Sequence, residues 1–297
     1  MPSLLNQITA LAGSLPQFIT TNHILVGTGL LVLLLNLKGI PGMWHIRLFK
    51  GLLTQLYFTK TVQAEEDGLV PSILDKQGQP RPRLFAFFVT TSGTPAIDCD
   101  YNLHKSNSTF FSDLDINRTQ LLIALFKTVL SPSHVDRSRR KNPLRVALGG
   151  ASCIFRREIK PFQRYELWSR VLAWDEKWLY VASYFVKKGK GKKAATSDKK
   201  SADGSIPGPE SDVLASCIAR YVFKDGRVTV RPAVVLEEIG LITTQTDVKV
   251  VEGKWSAKQF EEERKRGMEI AALFTGLEGL PGRFDPENAI LGEYSDL

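Results

Sequence analysis

The sequence is short of the residues from which most catalytic and redox sites are assembled. It has three cysteines, Cys99, Cys153 and Cys217, and four histidines in 297 residues. Cysteines so few and so widely spaced exclude a disulfide framework and a CxxC metal or redox pair, so reduced thiols are expected. No grouping of His, Cys and carboxylates has metal-ligand spacing in a fitting context, and neither a metal nor a cofactor is expected. There is no GxGxxG and no P-loop; Gly27-Thr28-Gly29 sits in an apolar run without a third glycine. Gly150-Ala151-Ser152 continues into Cys153 instead of a closing glycine, which removes the serine elbow of an α/β-hydrolase. Basic residues are missing from the first 37 positions, so a cleaved signal peptide, which needs a positively charged start, is not expected.

The chain does carry a net charge of +8, but the run Lys187–Asp203 holds seven lysines against two aspartates, and without it the excess is +3. Charge gathered in one polar segment is not the distributed, aromatic-interleaved groove that binds nucleic acid, so no nucleic-acid partner is expected.

From Phe18 to Leu37 twenty residues are uncharged, close to the length that crosses a bilayer. Lys38, Arg47, Lys50 and Lys60 follow, and the positive-inside bias would leave the C-terminal side in the cytosol. The pattern predicts a membrane-associated chain, anchored at 18–37 with its main domain facing the cytosol; a hydrophobic helix docked on its own domain is the alternative. Pro41–Val62 repeats Trp44, Leu48, Leu52 and Leu56 at helical spacing, an amphipathic helix for either a membrane surface or the domain. Turn residues Gly68, Pro71, Gly78, Pro80 and Pro82 then set a boundary. This divides the chain into a helical region over 1–67, a domain over 83–246 and a helical extension over 247–297.

Within the domain, Leu84–Thr91 and Ala96–Leu103 read as extended, and Ser112–Leu130 as one mostly buried helix stopped by Pro132. Arg145–Arg157, Tyr165–Trp174 and Trp178–Lys187 read as strands, the last two joined in a hairpin at Asp175. Lys188–Asp212 has almost no apolar residue and is expected to be a disordered insertion. Val213–Phe223 and Arg227–Arg231 flank Lys224-Asp225-Gly226, a second hairpin signal. One buried helix followed by antiparallel strands makes an α+β chain whose sheet can wrap the helix. Ser256–Phe274 reads as a charged helix with a cap at Ser256 and a solvated face.

Asp113 and Asp115 fall at the expected start of the long helix. Ser112 with Asp115 resembles a capping box, and carboxylates in a first turn suit the helix dipole, so structural and chemical roles are both open. At these residues the chain resembles a known family. The order of Phe111-Ser-Asp-Leu-Asp-Ile-Asn117, Gly150–Phe162, Tyr165-Glu166 and Trp174-Asp-Glu-Lys-Trp178 is similar to hotdog-fold thioesterases over 83–246. The nearest types are thioesterase superfamily member six and the fungal secondary-metabolite enzymes of the leucinostatin type.

The resemblance implies a hotdog fold, in which an antiparallel sheet wraps a long central helix, here with an N-terminal hydrophobic helical extension. It also implies a homodimer and hydrolysis of acyl thioesters on coenzyme A (acyl-CoA) or an acyl carrier protein. In the family the second aspartate of an Asp-x-Asp at the helix start is catalytic, which assigns Asp115. Many relatives continue with His-Met-Asn-Asn, whereas Thr119-Gln120-Leu121-Leu122 stands here. Asn117, Thr119, His104 and Asn107 are the nearest candidates for substrate binding. Arg156 and Arg157, with Arg137, Arg139, Arg140 and Lys141, can meet the phosphates of coenzyme A or phosphopantetheine. A non-catalytic acyl or polyketide binder, and a thioester dehydratase or cyclase, are the alternatives.

Overall fold

The computed structural model describes residues 23–59, 72–74, 78, 80–133, 142–190, 212–242 and 255–283. The anchor's first five positions, Lys60, the basic loop at Arg137–Lys141 and nearly all of the 188–212 insertion lie outside these residues.

Six strands form one antiparallel sheet: β3 (Phe88–Gly93), β4 (Arg145–Phe155), β5 (Arg164–Trp174), β6 (Leu179–Lys187), β7 (Val213–Asp225) and β8 (Val228–Val230). Their order is β3-β5-β6-β7-β4, with β8 on β7; the small hairpin of β1 (Ser72–Leu74) and β2 (Pro80–Pro82) stands apart. Both hairpins expected from the sequence are present. Asp175 Oδ1 accepts the Lys177 and Trp178 N–H groups at 2.7 and 2.6 Å between β5 and β6. Gly226 turns the chain at φ +58°, a left-handed conformation that glycine adopts without a Cβ penalty, between β7 and β8.

The sheet curls around α3, Asn107–Leu130. Leu121, Leu122, Leu125, Phe126 and Val129 recur at helical spacing and pack on Val171, Val181 and Phe223, while Phe110 and Leu114 join Tyr165, Leu167 and Phe185 further up the same helix. This is the hotdog arrangement of helix and sheet. The helix begins five residues earlier than its apolar pattern suggests, because Asn107, Ser108 and Ser112 face water and only Phe110 marks the buried side. Ala96–Leu103, read as extended, is instead a 3₁₀ turn at Ala96–Asp98 and a loop closed by a bridge between Cys99 and Lys105.

β5 and β6 are buried on both faces, and the C-terminal helix explains why. This helix, Ala257–Thr275 (α5, after the short α4, Pro232–Glu238), starts at a Ser256/Gln259 capping box as its sequence suggests. Phe260, Gly267, Ala271 and Phe274 form its buried stripe. A Cβ at Gly267 would lie 2.2 Å from the Leu172 carbonyl oxygen, so only glycine lets the helix approach this closely. Glu262, Lys265 and Arg266 of its charge run face outward, whereas Glu263 meets Arg170 and Arg264 donates to the Trp174 carbonyl at 3.0 Å, so the run is only in part a solvated face.

Two more helices precede the domain. Residues 23–35 are helical (α1), and α2, Met43–Leu53, continues as a π-helical turn over Thr54–Phe58. The inward face of α2 packs on α3, where Gly51 meets Gln120 so closely that a Cβ would fall 2.7 Å from its side chain. No helix among the described residues is long and apolar enough to cross a membrane.

Candidate active site

The loop before α3 and the first turn of that helix form one end of the domain. Ser106 is the N-cap, and its side chain makes no capping bond to the helix; its hydroxyl instead shares a hydrogen with that of Ser108 at 3.1 Å. The first-turn N–H groups of a 24-residue helix therefore lack a side-chain cap. The loop packs on the helix start, where the Asp98 carbonyl accepts the Ser106 N–H at 2.8 Å and the Thr109 hydroxyl at 3.3 Å. Asp100 N–H donates to the His104 carbonyl at 2.9 Å, Leu103 N–H donates to Asp100 at 3.0 Å, and Leu103 takes φ +58° to close the turn. Half-buried Asp100 accepts the Asn102 N–H at 2.9 Å on its carboxylate. His104 Nε2 meets Glu158 Oε2 at 2.8 Å, tying the loop to the segment after β4.

A buried charge cluster holds this loop from behind. Asp113 Oδ2 accepts from Lys38 Nζ at 2.8 Å, Lys105 Nζ at 3.0 Å and the Tyr165 hydroxyl at 2.5 Å, while Oδ1 accepts from Arg47 Nη2 at 2.8 Å. Lys38 also donates to Asp98 Oδ2 at 2.9 Å and to the Gly93 carbonyl at 2.8 Å. The Asp113 and Lys105 side chains are 1% and 0% exposed. Burial alone would raise the Asp113 pKa, but Lys38, Lys105 and Arg47 outweigh it and hold the carboxylate far below its usual range. Burial, with Asp113 adjacent, pushes the Tyr165 hydroxyl well above its ordinary range. Lys38 and Arg47, expected on the cytosolic flank of an anchor, are thus turned into the domain, because a buried carboxylate needs them more than water does. The sequence reading gives Lys105, Tyr165 and Glu158 no role at the site: a single Lys or Tyr carries no spacing signal, and only the fold brings them to the loop.

Asp115, Asn117 and Thr119 lie about half a turn to just under two turns beyond Asp113. Asp115 is not in a first helical turn and Ser112 caps nothing, which corrects the capping-box reading; the cause is the earlier helix start. Its carboxylate pairs with buried Arg118 at 2.7 Å. Asp115 and Thr119 line a cleft of about 430 Å³ together with Tyr221, whose hydroxyl burial pushes up to about 12. Asn117 is 0% exposed and donates to Thr90 Oγ1 at 2.9 Å, a bond that ties α3 to β3. Arg156 and Arg157 are exposed at the end of β4, and their N–H groups donate to the Leu214 carbonyl at 2.9 and 3.0 Å. They adjoin Glu158, and so lie at the same end as His104. The structure therefore sorts the candidates into two groups, with His104, Asn107, Arg156 and Arg157 near the helix start and Asp115 and Thr119 along its side.

Comparison with known proteins gives the chemistry. The model of the thioesterase-like superfamily matches residues 95–202. A probable thioesterase of Emericella nidulans, atnL, is 48% identical over 99% of this chain and all of its own length. The chain belongs to the thioesterase-like superfamily. Thioesterase poxG of Penicillium oxalicum is 42% identical over 91% of this chain and 90% of its own, and thioesterase lcsJ of Purpureocillium lilacinum 34% identical over 73% and 71%. This thioesterase is a thioester hydrolase. Asp98-Cys99-Asp100 is an Asp-x-Asp placed directly before the observed helix, followed by His104-Lys105-Ser106-Asn107, which supplies a histidine and an asparagine in the order of His-Met-Asn-Asn.

Proposed function

We propose that this thioesterase hydrolyses acyl thioesters carried on coenzyme A or on carrier-protein phosphopantetheine, with Asp100 as the general base. The observation that carries the reading is the Asp-x-Asp loop folded against the uncapped start of α3, with His104 and Asn107 beside it. Asp100 takes a proton from water as the water oxygen forms a bond to the thioester carbonyl carbon. Negative charge then develops on the carbonyl oxygen, where first-turn N–H groups stabilise it. Collapse breaks the C–S bond, and the departing thiolate recovers the proton from Asp100, giving acid and thiol. His104 steadies the loop through Glu158, and Arg156 and Arg157 stand where phosphates would pass. Thiol release is expected from both acyl-CoA and acyl-pantetheine substrates in a standard thiol-trapping assay. Acyl ligands that bind without any thiol release would replace this reading with the non-catalytic one.

We also infer that two copies pair through β4. That strand has a sheet neighbour only on the β7 side among the described residues, and Ile154 on it is 64% exposed. Light scattering on the purified chain is expected to give a dimer mass; a monomer at micromolar concentration contradicts the pairing.

The N-terminal helices support a surface membrane attachment in place of a span. In α1, Ile24, Leu25, Val26 and the run Leu30–Leu35 are each 49–66% exposed and uncharged. The outward face of α2 adds Ile46, Phe49, Leu53 and Tyr57 around exposed Lys50, the composition of a helix lying in the interface with its domain on the cytosolic side. The full chain is expected to float with lipid vesicles in a density gradient. Its remaining in the dense fraction with both neutral and anionic vesicles would exclude attachment.

A further inference from the structure

The cleft beside Asp115 is built jointly by the domain and the N-terminal extension, and nothing in the proposed chemistry uses it. Its α3 wall is a single helical stripe whose character changes along the axis: Asp115 and Thr119 first, then Leu122 and Ile123, ending at Leu130. Asp115 lies about 12 Å along the helix from Asn107, and Leu130 about 22 Å further, at 1.5 Å per residue. The polar end is thus the end nearer the Asp100 loop, and the apolar end points away from it. Leu148 of β4 forms the facing side, and Trp44 and Leu48 of α2 the roof.

The roof is fixed in place. Arg47 is bonded to Asp113 at 2.8 Å, Gly51 abuts Gln120, and Lys127 of α3 donates to the Gln55 carbonyl at 3.2 Å and to that of Thr59. Three attachments along α2 hold Trp44 and Leu48 at a set height above α3, so the cleft has a defined cross-section.

We propose that this cleft binds the hydrocarbon chain of the acyl thioester, entered from the Asp115–Thr119 end, and that α2 is its specificity wall. The proposal rests on the thioesterase reading, which brings a thioester to the start of α3. A linear acyl chain fits the polar-to-apolar order. A second copy of the chain would have to insert beneath Trp44 and Leu48 to fill the same space. Short acyl groups stop before the apolar part, and longer ones gain affinity for each methylene they bury there.

The test compares Leu48→Trp, which narrows the cleft, with Leu48→Ala, which widens it, using the full chain with acetyl-, octanoyl- and palmitoyl-CoA. In the wild type kcat/KM is expected to climb with chain length, by up to about fourfold per methylene buried, from ~0.8 kcal/mol per CH₂. In Leu48→Trp the palmitoyl-to-acetyl ratio should fall at least about tenfold, and in Leu48→Ala the preference should move to longer chains. An equal change for all three substrates, or none, overturns the proposal. Displacement of a dansylated fatty acid by palmitate provides a readout that needs no turnover: binding weakened at least about tenfold by Leu48→Trp supports the cleft even if thiol release fails. Undiminished binding, or Leu48→Trp altering only the dimer mass, assigns the cleft to a second copy.

Discussion

Asp113→Asn is expected to destabilise the protein by about 3–5 kcal/mol, the cost of removing one partner from a buried ion cluster. Among the described residues Asp113 is the one carboxylate that touches Lys38, Arg47 and Lys105 together, and Lys105 has no exposed side-chain surface. The isosteric amide keeps the volume and a hydrogen-bond acceptor for Tyr165 but leaves Lys38 and Lys105 with Asp98 alone for a carboxylate and takes from Arg47 its charged partner. Thermal unfolding should shift by on the order of 10 °C for a domain of this size. The half-buried α5 pair provides the control: Glu261→Gln, which weakens an i,i+3 ion pair with Arg264, should stay within about 1 kcal/mol. The same cluster sets an acid limit. Because Asp113 titrates lower in the folded chain than in the unfolded one, its contribution is complete above the unfolded pKa and drains as pH falls below about 4. Wild type should lose stability steeply through that window, and Asp113→Asn should show a flatter acid limb. Equal melting temperatures for the two proteins, or parallel acid limbs, would remove the cluster from the account.

The strands were legible in the sequence because their signals are local. Asp175 and Gly226 sit in turns that their residue types demand, Ser256 and Gln259 form the cap that their spacing suggests, and Pro132 follows the end of α3. The start of α3 was not legible by the same means, since Asn107-Ser-Thr109 is polar and a solvated helix turn resembles a loop. That difference made a third-turn carboxylate, Asp115, look like a cap partner, and under the proposed Asp100 assignment it also shifts the motif from Asp100 to Asp115. The roles of Lys38 and Arg47 were also hidden: basic residues after an apolar run carry the same pattern whether they flank a bilayer or reach a carboxylate 75 and 66 positions further on. Long-range ion pairs leave no periodicity. The charged α5 concealed its contact for a related reason, its buried stripe of Phe260, Gly267, Ala271 and Phe274 being narrow and half made of small residues.

Thiol release by Asp100→Asn and Asp115→Asn, measured side by side under single-turnover conditions, bears most directly on the assignment of the site. Asp100 stands in the loop at the uncapped start of α3 with the Asn102 N–H on its carboxylate, so the amide preserves the turn and removes the base. Its rate should fall at least about a hundredfold, as for loss of a general base, with the melting temperature little changed. Asp115 pairs with Arg118 on the side of the helix, and its amide should lower the single-turnover rate by less than about tenfold. A hundredfold loss in Asp115→Asn with near-normal turnover in Asp100→Asn would contradict the account and move the chemistry into the cleft beside α2.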